Sequence, residues 1–509
     1  MKKIIEILIS RGFFISISVL IQIFFWIGIF TIFNEYSSLL IGFMILISLF
    51  CIIQIIIKNI YPENKIAWIV FIAMVPIAGG IFYILFGSHR ISKKTKRLYD
   101  AVELNLENAI KKITPINKKE LNIGHFTRKY KYLTKIANAP AFENTSTKYF
   151  KVGEEFHQQL LIELEKATKF IFIESFIIEP GKMWNSIEKI LIKKSQEGLD
   201  IRVLYDDLGC LMTLPANFKK RLTKYKIKCE RFNKMTHLIN ANFNNRDHRK
   251  ICIIDGNVGF NGGINLADEY INEKLLFGHW KDTAIMLKGE GVYGLTLMFL
   301  SMWNFQTKKI ENYEMYKPTI KEKTNGIIQP FADNPLDNES TGESIYMSIL
   351  NTAKDYVYIT SPYLIITREM TVALTSAAKS GIDVRLILPG IADKKFVHFL
   401  SSSYYDSLIT SGVKIYEYTK GFIHSKMFIS DDNLSVIGTI NLDYRSLDLH
   451  YECATVMYNS STTKEMKEDF LNTQQECKEI TINNIKKNSK FNIFKFIALG
   501  ILRTFSPLL

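Results

Sequence analysis

Apolar positions crowd the start of the chain and then thin out into short runs broken by polar residues. Three stretches, Phe13–Phe33, Leu39–Ile57 and Ile66–Phe86, contain no charged residue, and each is close to the twenty residues a helix needs to cross a bilayer core. They predict transmembrane helices within an N-terminal membrane region, residues 1–97, because three charge-free stretches in a row fit lipid better than buried core helices. The first is too long for the apolar part of a signal peptide, and no small-residue cleavage site follows it. Lys2, Lys3 and Arg11 precede the set, and Arg90, Lys93, Lys94, Lys96 and Arg97 follow it. Three crossings would put these two basic flanks on opposite sides, so one stretch is open to falling short. The third, with Pro76, Gly79 and Gly80, is the one open to a kink or a re-entrant turn.

After a linker over 98–130, one pattern of alternating helical and strand-like runs is written twice, predicting lobes over 131–320 and 321–480. The helix-like run ending at Ala167 leads into the strand Phe170–Phe176, and the run ending at Ala353 leads into Tyr356–Ser361. Glu197-Gly198-Leu199-Asp200 leads into Ile201–Tyr205, and Ser380-Gly381-Ile382-Asp383 into Val384–Leu388. Strands alternating with helices predict an α/β fold around a largely parallel sheet, and the long period means duplicated domains and not a solenoid. The last segment, 481–509, holds Lys486, Lys487, Lys490, Lys495 and Arg503 and no acid, with aromatic and aliphatic residues between. It is too short and too charged to span, and predicts an amphipathic helix in the headgroup layer, a solvated tail being the alternative.

Composition narrows the class. At 47% hydrophobic and 22% charged residues, the 509-residue chain is not disordered. Sixty-four Lys and Arg against fifty Asp and Glu give a net charge of +14, which favours an anionic partner. Six scattered cysteines with no CxxC pair argue against a disulfide framework or a structural zinc site.

The chemistry recurs at one place in each copy. Asp247-His248-Arg249-Lys250 runs on to Asp255, and Ile423-His424-Ser425-Lys426 runs on to Asp431. Both are His-x-Lys, four residues and an Asp, followed by a Gly-rich turn ending in Asn265 or Asn441. His and Lys two apart on a strand share one face, so imidazole and ammonium converge. Asp255 and Asp431 fall at the strand end, where they brace a turn and balance charge. A metal centre fits poorly, since Lys is not a normal ligand and two histidines fall short of three protein ligands. No cofactor is expected.

These paired motifs resemble those of the phospholipase D superfamily, and nearly the whole chain is similar to the bacterial cardiolipin synthases. The similarity includes Tyr61-Pro62-Glu63-Asn64-Lys65, the run Asn441-Leu442-Asp443-Tyr444-Arg445-Ser446 and the terminus Ser506-Pro507-Leu508-Leu509. The extra first apolar stretch departs from that branch, which commonly has two N-terminal spans. The resemblance implies two phospholipase D-like lobes forming one pseudo-two-fold catalytic unit, with His248, Lys250, Asp255, His424, Lys426 and Asp431 as the signature residues. It further implies that one His attacks phosphorus while the other protonates the leaving alcohol, His248 being the nucleophile in family terms, although the sequence treats the two alike. Lys250, Lys426, Asn265 and Asn441 would bind the non-bridging oxygens. Asp282 and Glu452, each about thirty residues past a motif, are candidates to orient the rings, or else plain surface carboxylates. The implied reaction joins two phosphatidylglycerols into cardiolipin with release of glycerol. Phosphatidylglycerol and anionic lipids are then the partners, no nucleic acid is expected, and a multi-pass place in the bacterial cell membrane follows. A lipid hydrolase or a transferase using another alcohol is the nearest alternative, with a nuclease or an inactive scaffold behind it.

Overall fold

The two copies fold as sheets with one strand order. In the computed structural model, residues 37–508 are described except 59, 76–78, 81, 88–91, 114–125, 235–243, 324–325, 338 and 489–492. The first lobe contributes β1 (Thr145–Phe150), β2 (Phe170–Ser175), β3 (Asp200–Asp206), β4 (Lys228–Phe232), β5 (Ile251–Ile254), β6 (Val258–Gly262), β7 (His279–Lys281) and β8 (Ala284–Gly289). The second contributes β9 (Ile327–Asp333), β10 (Tyr356–Thr360), β11 (Leu364–Ile365), β12 (Asp383–Pro389), β13 (Lys414–Tyr418), β14 (Gly421–Ile423), β15 (Met427–Ser430), β16 (Leu434–Gly438), β17 (Leu442–Asp443), β18 (Glu452–Tyr458) and β19 (Cys477–Ile480). The first sheet runs β1-β8-β6-β5-β2-β3-β4, and the second, read in the same sense, runs β9-β18-β16-β15-β10-β12-β13 with β19 added at its edge. The duplication is therefore one of topology as well as sequence.

The sheets are mixed, not largely parallel. Within the two large sheets, among the described residues, only β2–β3–β4 and β10–β12–β13 pair in parallel, where helices such as Lys182–Gln196 and Arg368–Lys379 supply the crossover. Between β5 and β6 the chain has three residues, 255–257, too few for a crossover, so those strands form an antiparallel hairpin. Asp255 (φ 55°) and Gly256 (φ 69°) take left-handed conformations there, as do Asp431 and Asp432 in the matching turn between β15 and β16.

Alternate residues of the central strands serve two cores. Ile171 and Ile173 of β2 pack under the first lobe's helices, whereas Phe170 and Phe172 enter a cluster shared with Tyr356 and Tyr358 of β10. Val357 and Ile359 turn the other way, into the second lobe's own core. The helix Val292–Thr307 lies in the shared layer, with Leu295, Phe299 and Met302 buried. Strands covered on both faces explain the unbroken apolar runs in the sequence.

Residues 98–130 are not a bare linker. A helix runs Lys93–Ile110 and another Thr127–Lys135, with Ala109 buried in the shared cluster and Phe126, Tyr130 and Leu133 in the second lobe's core. At the other end, Ile480 and Ile485 pack against that same core, so the chain just past 480 belongs to the lobe.

Lys93–Lys234 with Asn245–Ile493 make one compact unit; Met1–Ser92, Met235–Asn244 and Phe494–Leu509 make another. Within the smaller unit, Cys51, Ile55, Trp68, Ile72 and Tyr83 bury one another, and the Phe71 and Phe505 rings meet at 6.4 Å. The expected crossing 13–33 lies outside the described residues. Among the described residues no helix is long and apolar enough to cross a membrane. The helix Ser37–Ile57 is the most apolar of the described α-helices. Its 21 residues carry no charge, and Leu39, Phe43, Leu46 and Phe50 are exposed, an apolar surface suited to lipid. The expected crossing 66–86 is not one helix: Pro62–Met74 ends at Val75, next to Pro76, and a short turn of helix follows at Tyr83–Gly87. A multi-pass arrangement is thus not shown. The helix Ile493–Phe505 does present Phe494, Phe496, Ile497 and Ile501 outward.

Candidate active site

Each His-x-Lys sits one step earlier than its sequence placement. The pairs occupy extended chain just before β5 and β15, not the strands themselves. Strand-like pairing nevertheless holds them, and it comes from the opposite lobe. Ile423, next to His424, is the last residue of β14, which pairs in parallel with β7 of the first lobe, and His424 N donates to Lys281 O at 2.7 Å. In mirror fashion His248 N donates to Tyr451 O at 2.9 Å and Tyr451 N to Arg246 O at 2.8 Å.

This exchange delivers each ring a carboxylate from the other half. His248 Nδ1 lies 2.9 Å from both oxygens of Glu452, which also accepts from Ser446 Oγ at 2.6 Å. His424 Nδ1 lies 2.6 Å from Asp282 Oδ2. Both carboxylates are fully buried, so neither is a surface group. Gly263 passes so close to Asp282 that a Cβ there would fall 2.2 Å from its Oδ1, which is why a glycine stands beside that acid.

The lysines complete a cationic pocket with one asymmetry. Lys250 Nζ donates to His248 O at 2.5 Å, and Lys426 Nζ donates to His424 O while also lying 2.7 Å from His424 Nδ1. Burial first, then the charges of Lys250, Lys426 and His424, hold His248 well below the ordinary imidazole range. His424 is held well below it by burial, Lys426 and Lys250. The two rings therefore feel the same pair of ammonium groups. Burial lowers Lys250 to about 8 and Lys426 to about 7, and raises Asp282 to about 6.

Aromatic rings wall the pocket. Phe176 and His450 approach His248 at 5.0 and 5.5 Å between centroids, and Tyr270, Trp280 and Phe422 approach His424 at 5.5, 5.6 and 5.9 Å. His450, pushed down to about 3 mainly by burial, is the residue sequence reasoning missed. Its signal was there: it stands two before Glu452, as Trp280 stands two before Asp282, so one place in the repeat holds a wall ring in both copies.

Four predicted residues are placed otherwise. Asp255 accepts from the N–H groups of Thr168, Lys169 and Phe170, and Asp431 from those of Lys354, Asp355 and Tyr356, at 2.7–3.0 Å. They lie at the far ends of β5 and β15, roughly 15 Å of extended chain from the lysines, so the structure does not bring these two into the pocket. Asn265 is engaged within its lobe, accepting from Ile177 N at 3.1 Å and donating to Tyr270 OH at 2.6 Å. Asn441 keeps a buried Oδ1 without a partner, while its amide supports the neighbouring Asp443 carboxylate.

Two sheets of one topology, each lending a His-x-Lys to a shared cationic pocket, define a phospholipase D-like protein. The cardiolipin synthase, PLD-like domain family matches residues 160–277 and 346–473, and the phospholipase D-nuclease N-terminal family matches 46–88. A cardiolipin synthase of Alkalihalophilus pseudofirmus is 33% identical over 470 residues, 90% of this chain and 91% of that one. One from a Geobacillus species is 33% identical over 489 residues, covering 94% of this chain and 96% of the relative. An uncharacterised protein of Streptococcus mutans is 42% identical over 87% of this chain and 96% of its own length. The chain belongs to the cardiolipin synthase family, whose members are phosphatidyltransferases. The crystal structure of a phosphatidylserine synthase from Haemophilus influenzae superposes with a TM-score of 0.57 over 75% of this chain and 98% of that one, at 15% identity, a likeness of fold alone.

Proposed function

We propose that the protein joins two phosphatidylglycerol molecules into cardiolipin and glycerol through a phosphatidyl-histidine. The observation that carries the reading is the crossed pair of dyads, His248 with Glu452 and His424 with Asp282, over one pair of lysines. Glu452, facing Nδ1 of His248 with both oxygens, fixes the proton there and leaves the Nε2 lone pair free to attack phosphorus. Asp282, a buried acid raised to about 6, shares a proton with His424 across 2.6 Å. The proton on His424 Nε2 passes to the departing glycerol oxygen as its bond to phosphorus breaks, and the shared proton settles on Nδ1, so the ring stays neutral. In the second half-reaction a headgroup hydroxyl of another phosphatidylglycerol attacks phosphorus, its proton goes to His424 Nε2, and the bond to His248 breaks.

Lys250 and Lys426 supply the charge that a five-coordinate phosphorus demands, worth about 3–4 kcal/mol each in the barrier. The aromatic walls keep the pocket poor in water, which favours an alcohol over hydrolysis in the second step. The uncharged helix Ser37–Ile57 and the outward apolar face of Ile493–Phe505, with Lys495 and Arg503, support anchorage in an anionic bacterial cell membrane. Incubation of the purified protein with vesicles of labelled phosphatidylglycerol is the deciding experiment. Cardiolipin and glycerol in equal amounts are expected; phosphatidic acid without cardiolipin would establish the hydrolase instead.

A further inference from the structure

His450 occupies the place of Trp280 in the repeat and breaks its symmetry in a chemically pointed way. The ring is buried at 8% exposure, and neither Nδ1 nor Nε2 has a hydrogen-bond partner. A buried, unpaired imidazole is costly unless something completes it. Its Nδ1 lies 3.6 Å from Glu452 Oε1, which in turn lies 2.9 Å from His248 Nδ1. One ligand atom from each of His248, His450 and Glu452 falls within 4.8 Å of the others, the one such trio among the described residues. Two imidazole nitrogens and a carboxylate oxygen with an open fourth position are the donor set of a tetrahedral zinc site. The opposite dyad, with Trp280 in place of the second imidazole, offers only two ligands. The two histidines of the repeated motifs never make this set; the third ligand does.

We propose that His248, His450 and Glu452 form an inhibitory site for a divalent cation of the zinc class. Zinc on Nδ1 of His248 takes the lone pair that the Glu452-held proton would otherwise cover, so that proton moves to Nε2 of the same ring. No proton is gained or lost, but the lone pair that attacks phosphorus is gone. The metal also takes Glu452 away from the ring it orients. Lys250 and Lys426 repel a cation here, so the site is a reversible brake and not a resident structural metal.

The test uses the full-length protein, zinc and cobalt salts, and phosphatidylglycerol vesicles. Wild type is expected to bind one zinc per chain, and cobalt in its place should give a tetrahedral visible band with no thiolate charge-transfer band. The second feature matters because the six cysteines are unpaired. His450→Asn and His450→Gln should bind zinc more than about tenfold more weakly and, each measured against its own zinc-free rate, lose inhibition by the same factor. Binding does not depend on the reaction; only the inhibition arm rests on the function proposed above. Lack of a tetrahedral cobalt band in wild type overturns the site, whether or not the variants fold. So does equal zinc inhibition of wild type and a folded His450 variant.

Discussion

The pocket's acid–base behaviour follows from what each side chain touches. Lys426 is lowered to about 7 and Lys250 to about 8, both chiefly by burial. An ammonium carries its charge below its pKa and loses it as pH rises through that value, so phosphate binding weakens on the alkaline side. The pH profile of kcat/KM should fall between about 7 and 9. Lys426→Arg keeps its charge throughout, and its relative loss over that interval should be smaller whatever its absolute rate. Glu452→Gln keeps a polar neighbour but withdraws the negative charge that supports the attacking ring. Turnover should drop by a factor on the order of 10²–10⁴ with little change in thermal stability. The His and Lys of this pocket were legible because two copies share one spacing. The role of the asparagines was less legible for a physical reason: spacing places a side chain but does not say which neighbour engages its amide, as Tyr270 engages Asn265.

At the scale of elements, hairpin turns and strand ends account for the rest of the signature. Asp431 gathers three backbone N–H groups at the start of β10. Asp431→Ala leaves them without that acceptor and should lower unfolding stability by about 1–3 kcal/mol, read by urea titration, while kcat per folded molecule is unchanged. A comparable fall in kcat would return the Asp to the chemistry. Gly263→Ala should act oppositely, since the new methyl displaces Asp282: the fold survives and turnover falls. Deleting residues 493–509, rather than everything past 480, removes the amphipathic helix yet spares Ile485 against the second lobe's core. Activity on vesicles should fall more than activity on short-chain soluble lipid. Strand positions could be read from apolar runs, but not the mixed pairing, because direction is set by connection length and the turn at 255–257 looks like any Gly-containing loop. The helices within 98–130 were hidden by their high charge, their buried faces being a few residues such as Phe126 and Leu133.

For the whole molecule, the decisive contacts join positions 204 and 142 residues apart, His248 to Glu452 and His424 to Asp282. No local pattern announces such pairs; sequence could name the four groups but not say who holds whom. The crossing makes a paired prediction. With a substrate whose leaving group needs no proton, Asp282→Asn should still load lipid onto His248 and accumulate the adduct, whereas Glu452→Gln should load it slowly. Mass spectrometry of the trapped protein reads both. The reverse outcome would exchange the roles of the two rings.

Because each imidazole borrows its acid from across the divide, neither half is a self-sufficient catalyst. An ancestor with a single copy would have worked only as a pair of identical chains, each completing the other. A residue lost from one half disables the reacting ring of its sibling, so His450 and Trp280 could part ways in chemistry where Asp282 and Glu452 both keep a carboxylate.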